Sequence, residues 1–219
     1  VFMCGEWQYS MLLAYTFATF HRFTAISYKV PSVEVLAGCA VAMAKYNGLE
    51  KVGHIRDKLA KIAAYVETLR ALTNAAAREP VMYGDIAVPS PLITNMAKLH
   101  FASKYHEIMA LVQDISGGII ATSPDRRDWN NPDIHDYLEH YLGGSAKYST
   151  LERMKMIHET MRHACSHESA FHEVTTVHAE GSMAAQNMMI LAEAPLDRYE
   201  ALAKASAGII PREEGFRGK

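Results

Sequence analysis

Histidines are the first residues in this sequence whose number and spacing could do chemistry. The chain has 11 of them among 219 residues. Glu159, His163 and His167 follow at intervals of four, which places them on one face of a helix, where neighbouring side chains can share a metal ion. A di-metal carboxylate bundle uses Glu-x-x-His on two helices, and no glutamate here has a histidine three positions later. We therefore expect hydrogen-bonded or exposed histidines and no metal site.

A second candidate is the stretch that ends in the paired glycines Gly117 and Gly118. Ser116 precedes them, and Gln113 lies one helical turn earlier. Because glycine has no side chain, the backbone there lets a flat or anionic ligand approach closely, and Gln113 could supply an amide. Paired glycines also end helices that bind nothing. A ligand site and a simple helix cap both stay open on these residues alone.

A third candidate lies near the start of the chain, where His21 and Arg22 precede a predicted turn with Tyr28 and Lys29. A histidine and a lysine separated by one loop could polarise a substrate carbonyl or flank a cofactor. The alternative is a structural role, which is the usual one for a buried histidine beside an arginine.

The composition limits the partners of such a site. The chain is 49% hydrophobic and 21% charged with a formal net charge of −2, and Lys and Arg do not cluster, so we expect a globular protein with no nucleic-acid partner. Cys4, Cys39 and Cys165 lie far apart without CxxC spacing, which favours a reducing, cytoplasmic setting. The longest apolar run, residues 35–44, is too short to span a bilayer, so we expect no membrane partner.

Helical periodicity organises the first third of the chain. Residues 6–25 predict a largely buried helix, and Pro31 is expected to open a second helix that stops at Asn47-Gly48. The clearest pattern is an apolar stripe at spacings of three and four, which predicts a long helix that ends before Pro80. Its members are Val52, Ile55, Leu59, Ile62, Val66, Leu69 and Leu72.

The rest of the chain follows the same pattern after an interruption. Gly84, Pro89 and Pro91 predict a loop over residues 81–91. Another helical stripe then runs to Gly117-Gly118, and residues 123–144 predict an irregular excursion with one short helix near 134–142. The stripe comprises Leu92, Met96, Leu99, Ser103, His106, Ala110, Gln113 and Gly117.

Helix caps mark the last third. Ser149 and Glu152 form a capping box and predict a long helix to about His178, and Ser182 can cap a last pair of helices that is broken at Pro195. No segment alternates convincingly with period two. We therefore predict an all-α fold, an antiparallel bundle of four or five long helices in one domain over residues 1–210, with a flexible tail over 211–219.

Several short motifs together resemble one family. They are Cys4-Gly5-Glu6-Trp7, Phe20-His21-Arg22, Ala44-Lys45-Tyr46-Asn47-Gly48, Asp114-Ile115-Ser116-Gly117-Gly118, and Gly181-Ser182 followed by Gln186. In order and spacing they resemble the C-terminal domain of the 4-hydroxyphenylacetate 3-monooxygenase and 4-hydroxybutyryl-CoA dehydratase superfamily, over nearly the whole chain to about Gly208. The order of the motifs is most similar to the dehydratase branch.

The resemblance implies an acyl-CoA-dehydrogenase-like fold in which this helical domain packs with an N-terminal helical domain and a central β domain. It also implies FAD at the domain and subunit boundaries of a homotetramer. By the same resemblance Gln113, Ser116, Gly117 and Gly118 would contact the adenine or diphosphate end of FAD. Since the chain begins at Val1 rather than methionine, we expect a piece of a longer protein that is incomplete as a catalyst.

The departures from the family pattern bear on its iron–sulfur cluster. The resemblance implies that His21 matches the cluster histidine and Lys29 the family lysine, whereas Tyr28 stands where the dehydratases have a cluster cysteine. The family tyrosine is replaced by Ala25, and the family catalytic glutamate by Thr175. A phenol does not substitute for a soft thiolate, so we expect no iron–sulfur cluster.

The chemistry that remains is that of the flavin, with His21 and Lys29 orienting a carbonyl or a phenolate. The leading expectation is an FAD-dependent, monooxygenase-like oxidoreductase that acts on a small aromatic or acyl-CoA substrate. A lyase or isomerase of the dehydratase kind without a cluster, and a non-catalytic helical assembly domain, are the alternatives.

Overall fold

The computed structural model describes residues 4–209, so the predicted tail at 211–219 lies outside the described residues. Three long helices form the centre: α1 (Trp7–Tyr46), α2 (Gly53–Arg78) and α3 (Pro91–Ser116). Each of the three packs against the other two, and α7 (Thr150–Ala164) packs against α1 and α3. The all-α prediction is confirmed in this layered bundle, whose core lies between these four helices.

Helix α1 is one continuous element of 40 residues, with Pro31 in its interior. The predicted break at Pro31, and with it the predicted turn between His21 and Lys29, is therefore wrong. Proline removes one backbone donor, but Ile26, Val33 and Leu36 are buried on both sides of it, so tertiary packing holds the helix together. By length and composition α1 could also cross a membrane, a test that core helices of soluble proteins pass as well.

Helix α2 confirms the predicted stripe, because Ile55, Ile62, Val66 and Leu69 are all buried. The loop predicted after it is wrong. Two short strands, β1 (Val81–Tyr83) and β2 (Ile86–Val88), form an antiparallel hairpin in which Tyr83 pairs with Ile86. The prolines that suggested a loop flank the strands instead of interrupting them, and Gly84 makes the turn at a φ of +59°.

Helix α3 has the predicted bounds, and the Ser90 side chain accepts a hydrogen bond from the amide of Ile93 at its start. The stripe that ends in Gln113 and Gly117 is its outer side, mostly exposed to solvent. The buried side is the neighbouring stripe, again at spacings of four and three. Its members are Thr94, Lys98, Phe101, Tyr105, Ile108, Val112 and Ile115.

Short helices fill the predicted irregular excursion: α4 (Ile119–Thr122), α5 (Arg126–Trp129) and α6 (His135–Tyr141). The capping box that begins α7 is present, with the Ser149 hydroxyl and the Glu152 carboxylate each accepting a hydrogen bond from the other residue's backbone amide.

The long helix predicted from residue 149 to His178 is wrong, because α7 ends at Ala164. Ser166 caps a new helix, α8 (His167–Glu173), which runs into a π-helical turn at Val174–His178. Ser182 then caps α9 (Met183–Glu193), and α10 (Leu196–Ser206) follows after Pro195, as predicted.

Candidate functional site

The most distinctive feature of the bundle is a group of charged side chains that is almost completely buried. Arg22 and Lys29 come from α1, Lys98 comes from α3, and Glu180 comes from the turn between the π-helical segment and α9. Their exposed fractions are 5%, 1%, 0% and 6%. Burying a charge is costly unless it is paired and hydrogen-bonded, so the partners of each group decide what the cluster can do.

Glu180 is the centre of this cluster. Its Oε1 accepts a hydrogen bond from the Tyr28 hydroxyl at 2.7 Å. Its Oε2 accepts a hydrogen bond from Lys29 Nζ and forms an ion pair with Lys98 Nζ at 3.1 Å. Lys98 Nζ also donates to the backbone carbonyls of Thr176 at 2.6 Å and Val177 at 3.0 Å. The carboxylate therefore joins α1 and α3, and Lys98 connects both to the π-helical segment.

Arg22 fixes the backbone of the turn that carries Glu180. Its Nε donates to the carbonyl oxygen of Glu180 at 3.1 Å, and its Nη1 donates to Asn95 Oδ1 at 2.7 Å. Gly181 has a φ of +92°, and a Cβ atom there would lie 2.8 Å from Arg22 Nη2. The close approach of the guanidinium therefore requires glycine at this position.

Burial and the neighbouring charges shift the pKa values of the side chains in this cluster. Burial lowers the pKa of Lys29 to about 8, with Lys98 adding to the decrease and Glu180 opposing it. Burial also lowers the pKa of Lys98, against the attraction of Glu180. For Glu180, burial alone would raise the pKa, but hydrogen bonds from Lys29 and Tyr28 hold it below its usual value. Burial and the Glu180 carboxylate raise the pKa of Tyr28 to about 12.

A cleft of about 360 Å³ opens beside this cluster. Lys29 and Tyr28 form part of its wall, and Lys29 Nζ lies 5.0 Å from the centroid of the Phe101 ring. Aromatic rings and imidazoles supply half of the remaining lining residues: Phe101, Tyr105, His163, Phe171 and His172. A buried ammonium among aromatic walls can bind and orient an oxygen atom of a flat organic molecule.

His21 does not take part in this cleft. It is exposed on α1 and stacks on Phe17, with the ring centroids 5.5 Å apart. Eight residues of helix separate it from Lys29, which is about 12 Å along the axis. The structure therefore does not bring the two predicted catalytic residues together at the cleft.

The paired glycines lie at a different place. Gly117 and Gly118 line an open depression at the end of α3, together with Gln113 and Asp114. No atom lies within 4 Å of where a Cβ would stand on either glycine, so a ligand can reach the backbone. Gln113 Nε2 donates to the carbonyl of Ala164 at 2.6 Å.

Ser116 is buried and faces away from this depression, since its hydroxyl donates to the Val112 carbonyl at 2.7 Å. Gln113 lies 15 residues beyond Lys98 on α3, which is about 22 Å along the helix. The depression and the cleft are thus separate places on one helix.

Of the two histidines that suggested a metal site, His163 is hydrogen-bonded. His163 Nε2 lies 2.9 Å from Glu159 Oε1, and Arg162 binds the same carboxylate. Since α7 ends at Ala164, His167 belongs to the next helix and leaves the predicted common face. Within residues 4–209, no group of three or more His, Cys, Asp or Glu side chains is placed to hold a metal ion.

Lys98 and Glu180 are the two site residues that the sequence reasoning missed. The pattern did contain a clue to Lys98, because it falls within the buried stripe of α3 in register with Phe101 and Tyr105. Glu180 carries no such clue, since it lies in a turn and meets its partners from residues 28, 29 and 98 only through the fold.

The comparisons with known proteins agree with this architecture. The archaeal oxygen-tolerant 4-hydroxybutyryl-CoA dehydratase of N. maritimus superposes with a TM-score of 0.81 at 28% identity, over 94% of this chain and 41% of its own. The oxygenase component of 4-hydroxyphenylacetate 3-monooxygenase, solved with FAD and 4-hydroxyphenylacetate, superposes with a TM-score of 0.79 at 21% identity, over 87% and 40%. The acyl-CoA-dehydrogenase-like fold is therefore confirmed.

Sequence similarity identifies the family. The 4-hydroxybutyryl-CoA dehydratase/vinylacetyl-CoA Δ-isomerase of Clostridium aminobutyricum is 29% identical over 95% of this chain and 44% of its own length. The oxygenase component of 4-hydroxyphenylacetate 3-monooxygenase of Thermus thermophilus is 29% identical over 58% of this chain and 26% of its own. The chain thus spans less than half the length of these relatives. The family model for the 4-hydroxyphenylacetate 3-hydroxylase C-terminal domain matches residues 10–208, and the chain belongs to that family.

Proposed function

We propose that this chain is the helical domain of an FAD-dependent oxidoreductase of the 4-hydroxyphenylacetate 3-monooxygenase kind, acting on an aromatic or acyl-CoA substrate. The observation that carries the proposal is Lys29, a buried ammonium in the wall of a cleft lined by aromatic rings. Such a group stabilises an oxygen that gains negative charge, as a phenolate or a thioester carbonyl does during reaction. Its pKa of about 8 keeps the proton available near neutral pH.

The flavin is assigned to the other end of α3. The exposed backbone of Gly117 and Gly118 fits the close approach of the adenine or diphosphate end of FAD, with Gln113 beside it. Ser116 does not fit this role, because its side chain is turned inward. When bound, FAD supplies the hydride or electron transfer that no protein side chain provides. His21 was expected to act with Lys29, but it is exposed on α1 and does not line the cleft, so we propose that Lys29 alone of the two meets the substrate there.

The rest of the flavin pocket would come from another segment or subunit, with a homotetramer as the proposed assembly. The large exposed apolar side chains near the start of α1 support this, since single chains rarely leave such patches uncovered. Trp7, Leu13 and Phe17 are 63%, 55% and 66% exposed. We place the protein in the cytoplasm, in keeping with cysteines that stay unpaired among the described residues.

A second candidate is a lyase or isomerase of the dehydratase kind that works with flavin alone. It is favoured by the dehydratase similarity, which covers 95% of this chain whereas the Thermus oxygenase similarity covers 58%. An iron–sulfur cluster does not fit these residues. Tyr28 supplies no thiolate at the expected position, and its hydroxyl already donates to Glu180.

FAD binding tests the cofactor assignment. The chain is titrated with FAD by flavin fluorescence, alone and together with the segment or subunit that we propose completes the flavin pocket. We expect Gly118→Phe to weaken binding about tenfold, the equivalent of roughly 1.4 kcal/mol of lost backbone contact. Gly53→Phe is the matched control, because Gly53 also has open space around it but lies at the start of α2. A colourless protein that is indifferent to FAD in both forms would overturn the proposal.

Product analysis separates the two candidates. The FAD-bound assembly is incubated with reduced flavin, oxygen and 4-hydroxyphenylacetate, and in parallel with 4-hydroxybutyryl-CoA without oxygen. Incorporation of oxygen into the phenol supports the oxidoreductase. Loss of water from the thioester without oxygen uptake would reject it in favour of the lyase.

A further inference from the structure

We propose that Glu180 is a positioning residue for Lys29, and that Tyr28 and Lys98 hold Glu180 in place so that the four side chains act as one unit at the wall of the cleft. This inference rests on the proposed function, in which Lys29 meets the substrate oxygen. It adds the residues that fix the position and the charge of that ammonium group.

The hydrogen bonds divide the two lysines into different roles. Lys98 Nζ donates hydrogen bonds to the carbonyls of Thr176 and Val177 and forms an ion pair with Glu180, and Lys98 does not line the cleft. Lys29 Nζ, by contrast, donates to Glu180 as its hydrogen-bond partner among residues 4–209. Lys29 does line the cleft, and its ammonium has N–H groups beyond the one that Glu180 accepts.

The carboxylate is held from both sides. The Tyr28 hydroxyl occupies Oε1 at 2.7 Å, and the two ammonium groups occupy Oε2. Arg22 holds the backbone carbonyl of the same residue at 3.1 Å. A carboxylate with three such contacts on a fixed backbone has little freedom to rotate, and it transfers that order to the Lys29 ammonium.

The charges of the cluster do not balance. Two lysines share one carboxylate, and the hydrogen bonds of Arg22 go to uncharged acceptors, namely a carbonyl, the Asn95 amide and the Met189 sulfur. With both lysines protonated, the cluster formed by the described residues has more positive than negative groups beside the cleft, which favours a ligand whose oxygen bears or develops a negative charge.

Tyr28 gains a role from this geometry. The resemblance places a cluster cysteine at this position, and the tyrosine here instead closes the hydrogen-bond network around Glu180. The replacement therefore forms part of a different site built from this chain's own residues.

Two substitutions in this unit should shift the pKa of Lys29 in opposite directions. Removing the negative charge of Glu180 destabilises the ammonium, whereas removing the positive charge of Lys98 relieves repulsion and stabilises it. Charged or titratable groups face Lys29 from every element around it: Arg22 and Tyr28 on α1, Lys98 and Tyr105 on α3, His163 on α7, His172 on α8, and Glu180 in the turn.

Carbamylation of the folded chain by cyanate measures the pKa of Lys29, because an amine reacts only after it has lost its proton. The rate at Lys29 is followed against pH by peptide mass spectrometry, with the exposed Lys204 in the same sample as the internal reference. We expect a midpoint of about 8 for Lys29 in the wild type. In Glu180→Gln the midpoint falls by about 1 to 3 pH units, and in Lys98→Met it rises.

Glu200→Gln is the matched control, because it removes the carboxylate of an exposed lysine pair, Lys204 with Glu200, and leaves Lys29 unchanged. Glu180→Asp keeps the charge and restores part of the shift, and it replaces the Gln variant if that variant does not fold. An unmoved midpoint in Glu180→Gln, or a wild-type Lys29 that reacts in step with Lys204, would overturn the inference. Because no flavin is needed, failure here is distinguishable from failure to bind FAD.

Discussion

Replacing Lys29 by methionine tests whether burial at the cleft lowers the pKa of the Lys29 ammonium group. The side chain keeps a similar length but loses its titratable amine. Burial lowers the pKa of Lys29 from 10.5 to about 8. Between these two values the unfolded chain holds the proton and the native chain does not, so the free energy of unfolding rises with pH in that window.

The size of the effect follows from the two pKa values. The difference of 2.5 units (10.5 minus 8) corresponds to about 3.4 kcal/mol over the whole window. Below about pH 8 both states are protonated and the native state carries this full cost. Integrated from about pH 7.5 to about pH 9.5, the rise in stability due to Lys29 is about 2 kcal/mol.

Tyrosines set the upper limit of the measurement. Burial raises the pKa of Tyr105 and of Tyr28 to about 12, above the ordinary value of 10.0. Above pH 10 the unfolded chain therefore loses these protons first, and stability falls with pH. The Lys29 effect is accordingly measured below that point, where the tyrosines are protonated in both states.

Urea unfolding followed by far-ultraviolet circular dichroism provides the assay. We expect the wild type to gain about 2 kcal/mol more than Lys29→Met between about pH 7.5 and about pH 9.5, because the variant lacks the amine that loses its proton in that window. Lys204→Met serves as the exposed control and should follow the wild type. Parallel pH curves for the wild type and Lys29→Met would refute the reasoning.

Two further predictions concern stability alone. Gly181→Ala should lower the free energy of unfolding by about 1–3 kcal/mol, because it places a Cβ at positive φ against Arg22. Its urea midpoint should fall further than that of Gly208→Ala, a control position that also has positive φ but where a Cβ meets no atom within 4 Å. Ser149→Ala should cost about 1 kcal/mol by removing the cap of α7, measured as a lower urea midpoint at unchanged m value.

Sequence patterns correctly predicted the parts of the fold that depend on interactions between residues close together in the chain. The α2 stripe, the Ser149 capping box and the Ser182 cap depend on residues a few positions apart, and the structure confirms all three. The continuity of α1 across Pro31 depends instead on packing against α2 and α3, which no window of the sequence contains. The hairpin was missed because its strands have three residues each, too few for alternation to be recognised.

The site residues also divide into those that the sequence indicated and those that only the fold brings together. Lys29 and the Gly117-Gly118 backbone were named from the sequence, although the Lys29 assignment relied on a turn that does not exist. Glu180 was missed because it lies 151 positions from Lys29 along the chain, and only the packing of α1, α3 and the last turn brings the two together. Lys98 was hidden by the choice of the wrong stripe on α3.

The energetics of the cluster bear on whether this chain is a drifted assembly domain. Burying the ammonium of Lys29 costs the fold stability at neutral pH, and apolar side chains of similar size in place of a buried ion pair are often neutral or stabilising. A chain that served assembly alone would therefore lose nothing by replacing Lys29, Lys98 and Glu180 with such residues. The costly group instead borders a cleft and carries surplus positive charge towards it. Loss of stability at a ligand-sized opening is characteristic of a functional site, and this favours the proposed catalytic role over the alternative of assembly alone.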